Sequence, residues 1–225
     1  MAHHRAVFSG TALLCVICAV LLGLSLAGIV WVLARVCSSG LLAMLLFWAL
    51  LLASSAYILR WKATSLRYDW RLGLQQLVAD YRILLTFGVL HALLVFLYAV
   101  VDKKPLLDKR FFVINYLLVK VPVAFVEEVF FRGALDVALS DFVQPSFGAV
   151  LTSVTFAVAH VRQLSGTSGW LLLLKMASLL AIFLFAYIAA SRYQRQRNLA
   201  YSTLWHCWMP VEECLLAKMV ASILP

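Results

Sequence analysis

The sequence predicts an all-α protein, a polytopic transmembrane helical bundle of about seven spans, with six to eight as the range that the length allows. Of its 225 residues, 64% are hydrophobic and only 13% are charged, and the mean hydropathy is +0.96. A soluble domain is about 45–50% apolar and about 25% charged. The apolar residues also form runs of roughly 20, the length that crosses a bilayer as a helix. Basic residues stand at the ends of these runs, where helices meet lipid headgroups.

Each apolar run predicts one span. The first follows a short basic start and is longer than the core of a signal peptide, so it predicts a helix that is retained. The basic, aromatic segment after the second run predicts a cytoplasmic, headgroup-facing segment rather than a nucleic-acid patch, and the stretch GLQQLVADYR that follows it predicts an interfacial turn of helix. The predicted spans cover residues 8–34, 40–59, 83–101, 111–139, 147–161, 170–190 and 200–223.

The net charge of +9 agrees with membrane topology, because the basic residues flank the spans instead of forming one patch. We therefore expect the lipid bilayer as a partner and no nucleic acid. The basic excess falls in loops that share one side of the membrane, which predicts a cytoplasmic N-terminus. Trp205 and Trp208 resemble interfacial anchors of the last span. The basic residues on the predicted cytoplasmic side are Arg5, Arg60, Lys62, Arg67, Arg71, Arg192, Arg195 and Arg197.

The stretch FVEEVFFRG, residues 125–133, places three ionisable groups inside the fourth span. A charge at the bilayer centre costs at least about 2.5–3.5 kcal/mol, so such residues are candidates for function. Glu128 and Arg132 stand four apart on one helical face and can pair. Glu127 is rotated by about 100° from that face and has no partner nearby in sequence, so it is the candidate general base. An inert buried ion cluster is the alternative interpretation.

Two histidines in later spans lie at a comparable depth. The fifth span ends in TFAVAH, in which Phe156 and His160 are four apart and share a face. An antiparallel arrangement of spans four and five would bring His160 towards Glu127. The seventh span begins YSTLWHCWMP and places His206 one to two turns from its start. Three separate helices are therefore predicted to build one site.

The order EEVFFR, then FAVAH, then a histidine in the last span resembles the CPBP family (CAAX protease and bacteriocin-processing, or ABI) of intramembrane glutamic endopeptidases. The pattern of that family is E-E-x-x-x-R, then F-x-x-x-H, then H-x-x-x-N or D. The resemblance covers about residues 111–215. It is incomplete at one position, because Pro210 stands where the family has Asn or Asp.

The resemblance implies hydrolysis of a peptide bond in a membrane-anchored or lipidated protein substrate, as by a protein-sorting or maturation protease. One carboxylate would activate water, one imidazole would orient that water, and another would donate to the oxyanion or protonate the leaving amine. Other motif residues would hold the shape of the site. In the roles that the resemblance implies, Glu127 activates the water, His160 orients it, and His206 acts on the oxyanion or the leaving amine. The supporting residues are Glu128, Arg132 and Phe156.

The chain is expected to form a single integral membrane domain over residues 1–225. Within it, residues 1–105 would supply N-terminal helices and residues 111–223 a catalytic helical core. The compact size favours a bacterial enzyme, so we expect a multi-pass protein of the bacterial inner membrane.

Two alternatives stay open. No cofactor is expected, but Glu127, His160 and His206 have the side chains of a zinc site, although no H-E-x-x-H is present. The rival to an enzyme is a catalytically degenerate scaffold, an immunity protein or a transporter subunit of the same family. Pro210 is the main support for that rival, because it removes a side-chain amide or acid and should kink the helix. Glu213 is a weaker candidate for replacing the lost group.

Overall fold

The computed structural model describes residues 2–37, 39–102, 120–161 and 168–208, and the regular elements in these ranges are all helical. The all-α prediction is therefore confirmed. The helices in chain order are α1 (Ala2–Val36), α2 (Gly40–Trp61), α3 (Trp70–Ala79), α4 (Tyr81–Asp102), α5 (Val121–Glu128, Val129–Leu135 and Asp136–Leu139 as one continuous helix), α6 (Pro145–Ala159), α7 (Gly169–Gln196) and α8 (residues 199–208).

Within the described ranges, three helices are long and apolar enough to cross a membrane, over Thr11–Val36, Leu42–Trp61 and Gly169–Gln196. Shorter apolar helices cover Tyr81–Leu90 and Pro145–Ala159. The long helices turn leucine, tryptophan and methionine side chains outwards, which suits contact with lipid. The chain is thus an integral membrane protein. The predicted start of the fourth span and the predicted end of the seventh lie outside the described residues.

Helix α5 lies at the centre of the bundle. Residues 129–135 are buried on every side, including the charged Arg132, as expected of a helix that is apolar all round. Phe130, Phe131 and Leu135 of this stretch join one core with residues of α1, α2 and α6, namely Leu26, Leu51 and Phe156. The middle of α5 is a π-helix over Val129–Leu135, a wider turn that occurs frequently at functional sites.

Helix α8 packs inside the bundle and not at its border. Trp205 is only 1% exposed, and its ring lies 5.7 Å from that of Phe185 and 6.0 Å from that of Tyr201. The prediction that Trp205 anchors the chain at the interface is therefore wrong, because α7 covers this face of α8. Trp208, one turn further, is 40% exposed.

The polar loops meet at one end of the bundle, where ion pairs join elements that are far apart in sequence. Nitrogen–oxygen distances are 2.7 Å between Arg192 and Asp80 and 3.0 Å between Arg197 and Asp136, and a third pair joins the end of α2 to the turn after α5. These contacts hold the basic loops together on one side. The three pairs are Lys62–Asp141, Arg192–Asp80 and Arg197–Asp136.

Asn198 joins the starts of α3 and α8. Its side chain is fully buried, accepts from the backbone N–H of Asp69 at 3.0 Å and of Ala200 at 3.1 Å, and donates to the Asp69 carbonyl at 3.0 Å. Asp69 in turn caps α3 by accepting from the N–H of Leu72 at 2.9 Å. The loop before α3 therefore sets the position of α8, the helix that carries His206.

Helices α1 and α6 come into close contact at a glycine. A methyl group on Gly23 would lie 2.7 Å from Val158 Cβ and 2.8 Å from the Thr155 carbonyl oxygen. The Thr155 hydroxyl also donates to the carbonyl of Ala19 at 3.2 Å. Small residues at such crossings let helix backbones approach within a membrane. This contact fixes α6, and with it the FAVAH motif, against α1.

We expect Gly23→Ala to lower the free energy of unfolding by about 1–3 kcal/mol, because the new methyl group meets a backbone oxygen that cannot move aside cheaply. The matched control is Gly28→Ala in the same helix, where nothing lies within 4 Å of an added Cβ. Better helix propensity should make that change neutral or stabilising by up to about 1 kcal/mol. Denaturant titration of the detergent-solubilised protein measures both. Equal effects of the two changes would contradict the close contact.

Candidate active site

A buried ion pair lies in the middle of α5. Arg132 Nη1 is 3.1 Å from Glu128 Oε1, and the two side chains are 1% and 0% exposed. Arg132 Nη2 also donates to the Ala186 carbonyl of α7 at 3.4 Å. The pair that the four-residue spacing predicts is thus present, and each charge lies beside its opposite. This neutralisation is what permits two ionised groups to be buried at this depth.

The imidazole of His206 lies between the two glutamates. Its Nδ1 is 3.0 Å from Glu128 Oε1, and its Nε2 is 3.6 Å from Glu127 Oε2. The Glu128 carboxylate, which is paired with Arg132, can only accept hydrogen bonds. Nδ1 of His206 therefore carries a hydrogen and donates the hydrogen bond between them. The second distance is longer than a hydrogen bond. Glu127 and His206 are 13% and 15% exposed, so neither side chain is fully buried.

The end of α6 orients His160. The backbone N–H of His160 donates to the carbonyl of Ala157 at 3.0 Å. In a regular helix it would donate to the Phe156 carbonyl, which therefore lacks that partner. The His160 imidazole takes that place, with Nδ1 2.8 Å from the Phe156 oxygen. A carbonyl only accepts, so Nδ1 donates, and Nε2 is the ring nitrogen that this bond does not use. The hydrogen bonds that hold the two site histidines are therefore made by Nδ1 and not by Nε2.

Phe156 is the aromatic contact that the charged and imidazole groups share. It is 2% exposed, and the Arg132 guanidinium lies 4.6 Å from its ring centroid, within the range of a cation–π contact. The rings of His160 and His206 lie 4.6 Å and 5.6 Å from it. Phe185 of α7 packs edge-on against His206 at 5.6 Å. The aromatic side chains thus limit how far either imidazole can turn.

Glu127 and His160 line the wall of one cavity of about 360 Å³. The rest of the wall is apolar and comes mostly from α1 and α2. The structure therefore places Glu127 3.6 Å from His206. It places His160 on the wall of the same cavity as Glu127. The other lining residues are Leu26, Val30, Ala34, Gly40, Ala43, Met44, Phe47 and Ala159.

Tyr68, in the loop between α2 and α3, is a site neighbour that sequence reasoning missed. Its ring stacks on Phe125 of α5 at 5.5 Å. Burial raises the pKa of the Tyr68 phenol to about 12; the Thr203 hydroxyl partly lowers it, and the negative charge of Glu128 adds to the rise. A tyrosine in a loop has no periodicity that would mark it. Only the folding of this loop back into the bundle shows its place beside the ion pair.

The zinc alternative needs several ligands at one point. Among the described residues, no group of three His, Cys, Asp or Glu side chains lies close enough to hold a metal ion. Nδ1 of His160 is already bonded to a carbonyl, and Nδ1 of His206 to Glu128. A histidine that holds a metal through one ring nitrogen commonly donates its other ring N–H to a carbonyl or a carboxylate, so these two bonds do not exclude zinc and the alternative stays open. The absence of a cofactor stays a prediction, and Pro210, Glu212 and Glu213 lie outside the described residues.

Comparison with known families finds one match that covers the motif residues. Residues 109–210 match the family model described as type II CAAX prenyl endopeptidase Rce1-like. This segment of the chain is similar to the Rce1-like family. The Rce1-like segment contains every motif residue singled out from the sequence, from Glu127 to His206, and it confirms the resemblance to CAAX-type proteases. Proteolysis is the kind of activity that the family supports. No curated protein and no solved structure matches the chain.

We expect Arg132→Met to lower the free energy of unfolding by about 3–5 kcal/mol, because it leaves the Glu128 charge buried and unpaired on that side. Adding Glu128→Gln in the same chain should recover much of this loss, since no buried charge then remains. Arg195→Met, at an exposed position of α7, serves as the control and should stay within about 0.5 kcal/mol of the wild type. Denaturant titration in detergent measures all three. If the double variant is no more stable than Arg132→Met, the pair does not act as described.

Proposed function

We propose that the protein is an intramembrane endopeptidase that hydrolyses a peptide bond in a membrane-anchored or lipidated protein. The observation that carries this proposal is the position of the His206 imidazole, between Glu127 at 3.6 Å and Glu128 at 3.0 Å, within an Rce1-like segment. Peptide hydrolysis needs an activated water, a donor for the oxyanion and a proton for the leaving amine. The groups around this imidazole can supply all three.

Glu127 is the proposed general base. Of the two glutamates, it is the one that lines the cavity, whereas Glu128 is fully buried and occupied by Arg132 and His206. Its carboxylate would take a proton from a water molecule, and the oxygen would add to the carbonyl carbon of the scissile bond. As the carbon–nitrogen bond breaks, protonated Glu127 would return the proton to the leaving amine. The carboxylate is thereby regenerated.

His206 is the proposed donor to the oxyanion. In the imidazolium form, its Nδ1–H stays bonded to Glu128 and its Nε2–H points to the side of Glu127. Positive and negative groups would then alternate along Arg132, Glu128, His206 and Glu127. A donor fixed in this way stabilises the tetrahedral intermediate without first having to reorient.

His160 is proposed to orient the attacking water. With Nδ1–H bonded to the Phe156 carbonyl, a neutral His160 has an acceptor at Nε2. That acceptor and the Glu127 carboxylate line the same cavity, so each can take one hydrogen bond from one water. Glu128, Arg132 and Phe156 would hold both imidazoles in place. No step in this scheme requires a metal ion.

We further propose that the protein is a multi-pass protein of the bacterial inner membrane with its N-terminus in the cytoplasm and with no nucleic-acid partner. The support is the gathering of the basic loops at one end of the bundle, seen in the pairs that Lys62, Arg192 and Arg197 make. Cytoplasmic loops carry the excess of basic residues in membrane proteins. The substrate would then be another protein of the same membrane.

The test compares Glu127→Gln with wild type on a panel of membrane-anchored peptides, with purified protein in lipid vesicles. We expect cleavage to fall by at least about 100-fold, because the amide cannot accept the proton from water. The matched control is Asp141→Asn, which makes the same carboxylate-to-amide change at an exposed position, 56% exposed, beside Lys62. It should cleave within about twofold of wild type, since surface changes have small effects.

Equal cleavage by wild type and Glu127→Gln would overturn the enzyme proposal. A growth or transport phenotype that survives Glu127→Gln would instead favour the scaffold, immunity or transporter alternative. Loss of cleavage in the presence of a zinc chelator, with recovery on adding zinc, would reject the metal-free scheme while leaving proteolysis in place.

A further inference from the structure

We propose that the α1–α2 hairpin determines which side chain the enzyme accepts beside the scissile bond, and that this pocket takes one large aliphatic or aromatic side chain. This inference rests on the proposed function. It assigns a specificity role to residues that lie before the Rce1-like segment, 109–210. Ala43, Met44 and Phe47 of α2 would form the part of the wall that decides the fit.

The cavity has two chemically distinct sides. Glu127 and His160 form the polar side. Seven of the ten lining residues come from α1 and α2, and all of these are apolar. A ligand that matches both sides must place a polar, hydrolysable group next to Glu127 and an apolar group against α2. A peptide bond with a neighbouring apolar side chain has this form.

The size of the cavity makes it selective. Its volume of about 360 Å³ is near the lower end of the roughly 300–1,000 Å³ typical of ligand pockets. Lipid tails are as apolar as a leucine side chain, so a side chain that leaves lipid for this pocket gains little from the hydrophobic effect. Shape and volume must therefore decide which side chain binds. The residues that set the volume also set the specificity.

Gly40, the first residue of α2, lines the cavity near the α1–α2 turn. Nothing lies within 4 Å of a Cβ added at this position, so a larger side chain can be accommodated there without displacing the backbone. Gly28 of α1 has equally open surroundings but does not line the cavity. The chain thus offers a matched pair of glycines with open surroundings, one on the wall of the cavity and one away from it.

The first experiment measures cleavage of single-span synthetic peptides in phosphatidylcholine vesicles, with Ala, Leu or Phe placed at each position in turn through the span. We expect wild type to prefer Leu or Phe at one position next to the cleaved bond. Gly40→Phe should lower the rate on those peptides by about tenfold, the loss typical of a poorly filled or obstructed apolar pocket. Gly28→Phe should leave it unchanged, and Met44→Ala, which enlarges the pocket, should shift the preference from Leu towards Phe.

The second experiment does not depend on cleavage. The same peptides, with photo-leucine in place of Leu, are cross-linked to the Glu127→Gln variant, and the attachment sites are mapped by mass spectrometry. We expect cross-links to Ala43, Met44 or Phe47, which are lost in Glu127→Gln/Gly40→Phe and retained in Glu127→Gln/Gly28→Phe.

The outcomes separate the two proposals. If wild type cleaves no peptide but these cross-links form, the proposed function fails and the assignment of the pocket stands. If wild type and Gly40→Phe cleave at the same rate with the same side-chain preference, the specificity role is overturned and the protease stands. Cross-links that avoid the α2 wall altogether would also overturn the assignment of the pocket.

Discussion

The buried pair of Glu128 and Arg132 is the interaction on which the candidate site depends. Each charge would be costly at this depth alone, and each is neutralised by the other at 3.1 Å. The same carboxylate accepts a hydrogen bond from Nδ1 of His206, and the same guanidinium lies over the ring of Phe156. One ion pair therefore reaches α8 through an imidazole and α6 through an aromatic ring, and three helices that are distant in sequence are brought into a defined geometry.

The adjacent glutamates have different surroundings and hence different capacities. Glu128 points into the bundle, is fully buried and has its charge balanced. Glu127, about 100° away around the helix, reaches the cavity and approaches His206 without a direct hydrogen bond. Glu128 is therefore occupied by Arg132 and His206, whereas Glu127 faces the cavity. Under the proposed function, Glu128 would be the structural member of the pair and Glu127 the reactive one.

The sequence predicted most of the helices because apolar runs of spanning length are a local property, and the structure has helices at each of these runs within its described residues. It also predicted the Glu128–Arg132 pair, since both residues belong to one helix. It failed for Trp205, which resembles an interfacial anchor in sequence but is covered by α7. It did not indicate Tyr68 or Asn198, whose contacts join loops to distant helices.

What the sequence by itself determined is the set of elements and the chemistry available to them: an all-α membrane protein, a charged motif in its fourth span and two histidines in later spans. Only the tertiary structure decided that His206 lies between both glutamates, that His160 is fixed by the end of its own helix, and that α1 and α2 complete the cavity. The physical reason is that the patterns readable from a sequence act over a short distance along the chain. Hydropathy and helical spacing act over a few turns of one segment, whereas the direction of a side chain between helices depends on how all of them pack together.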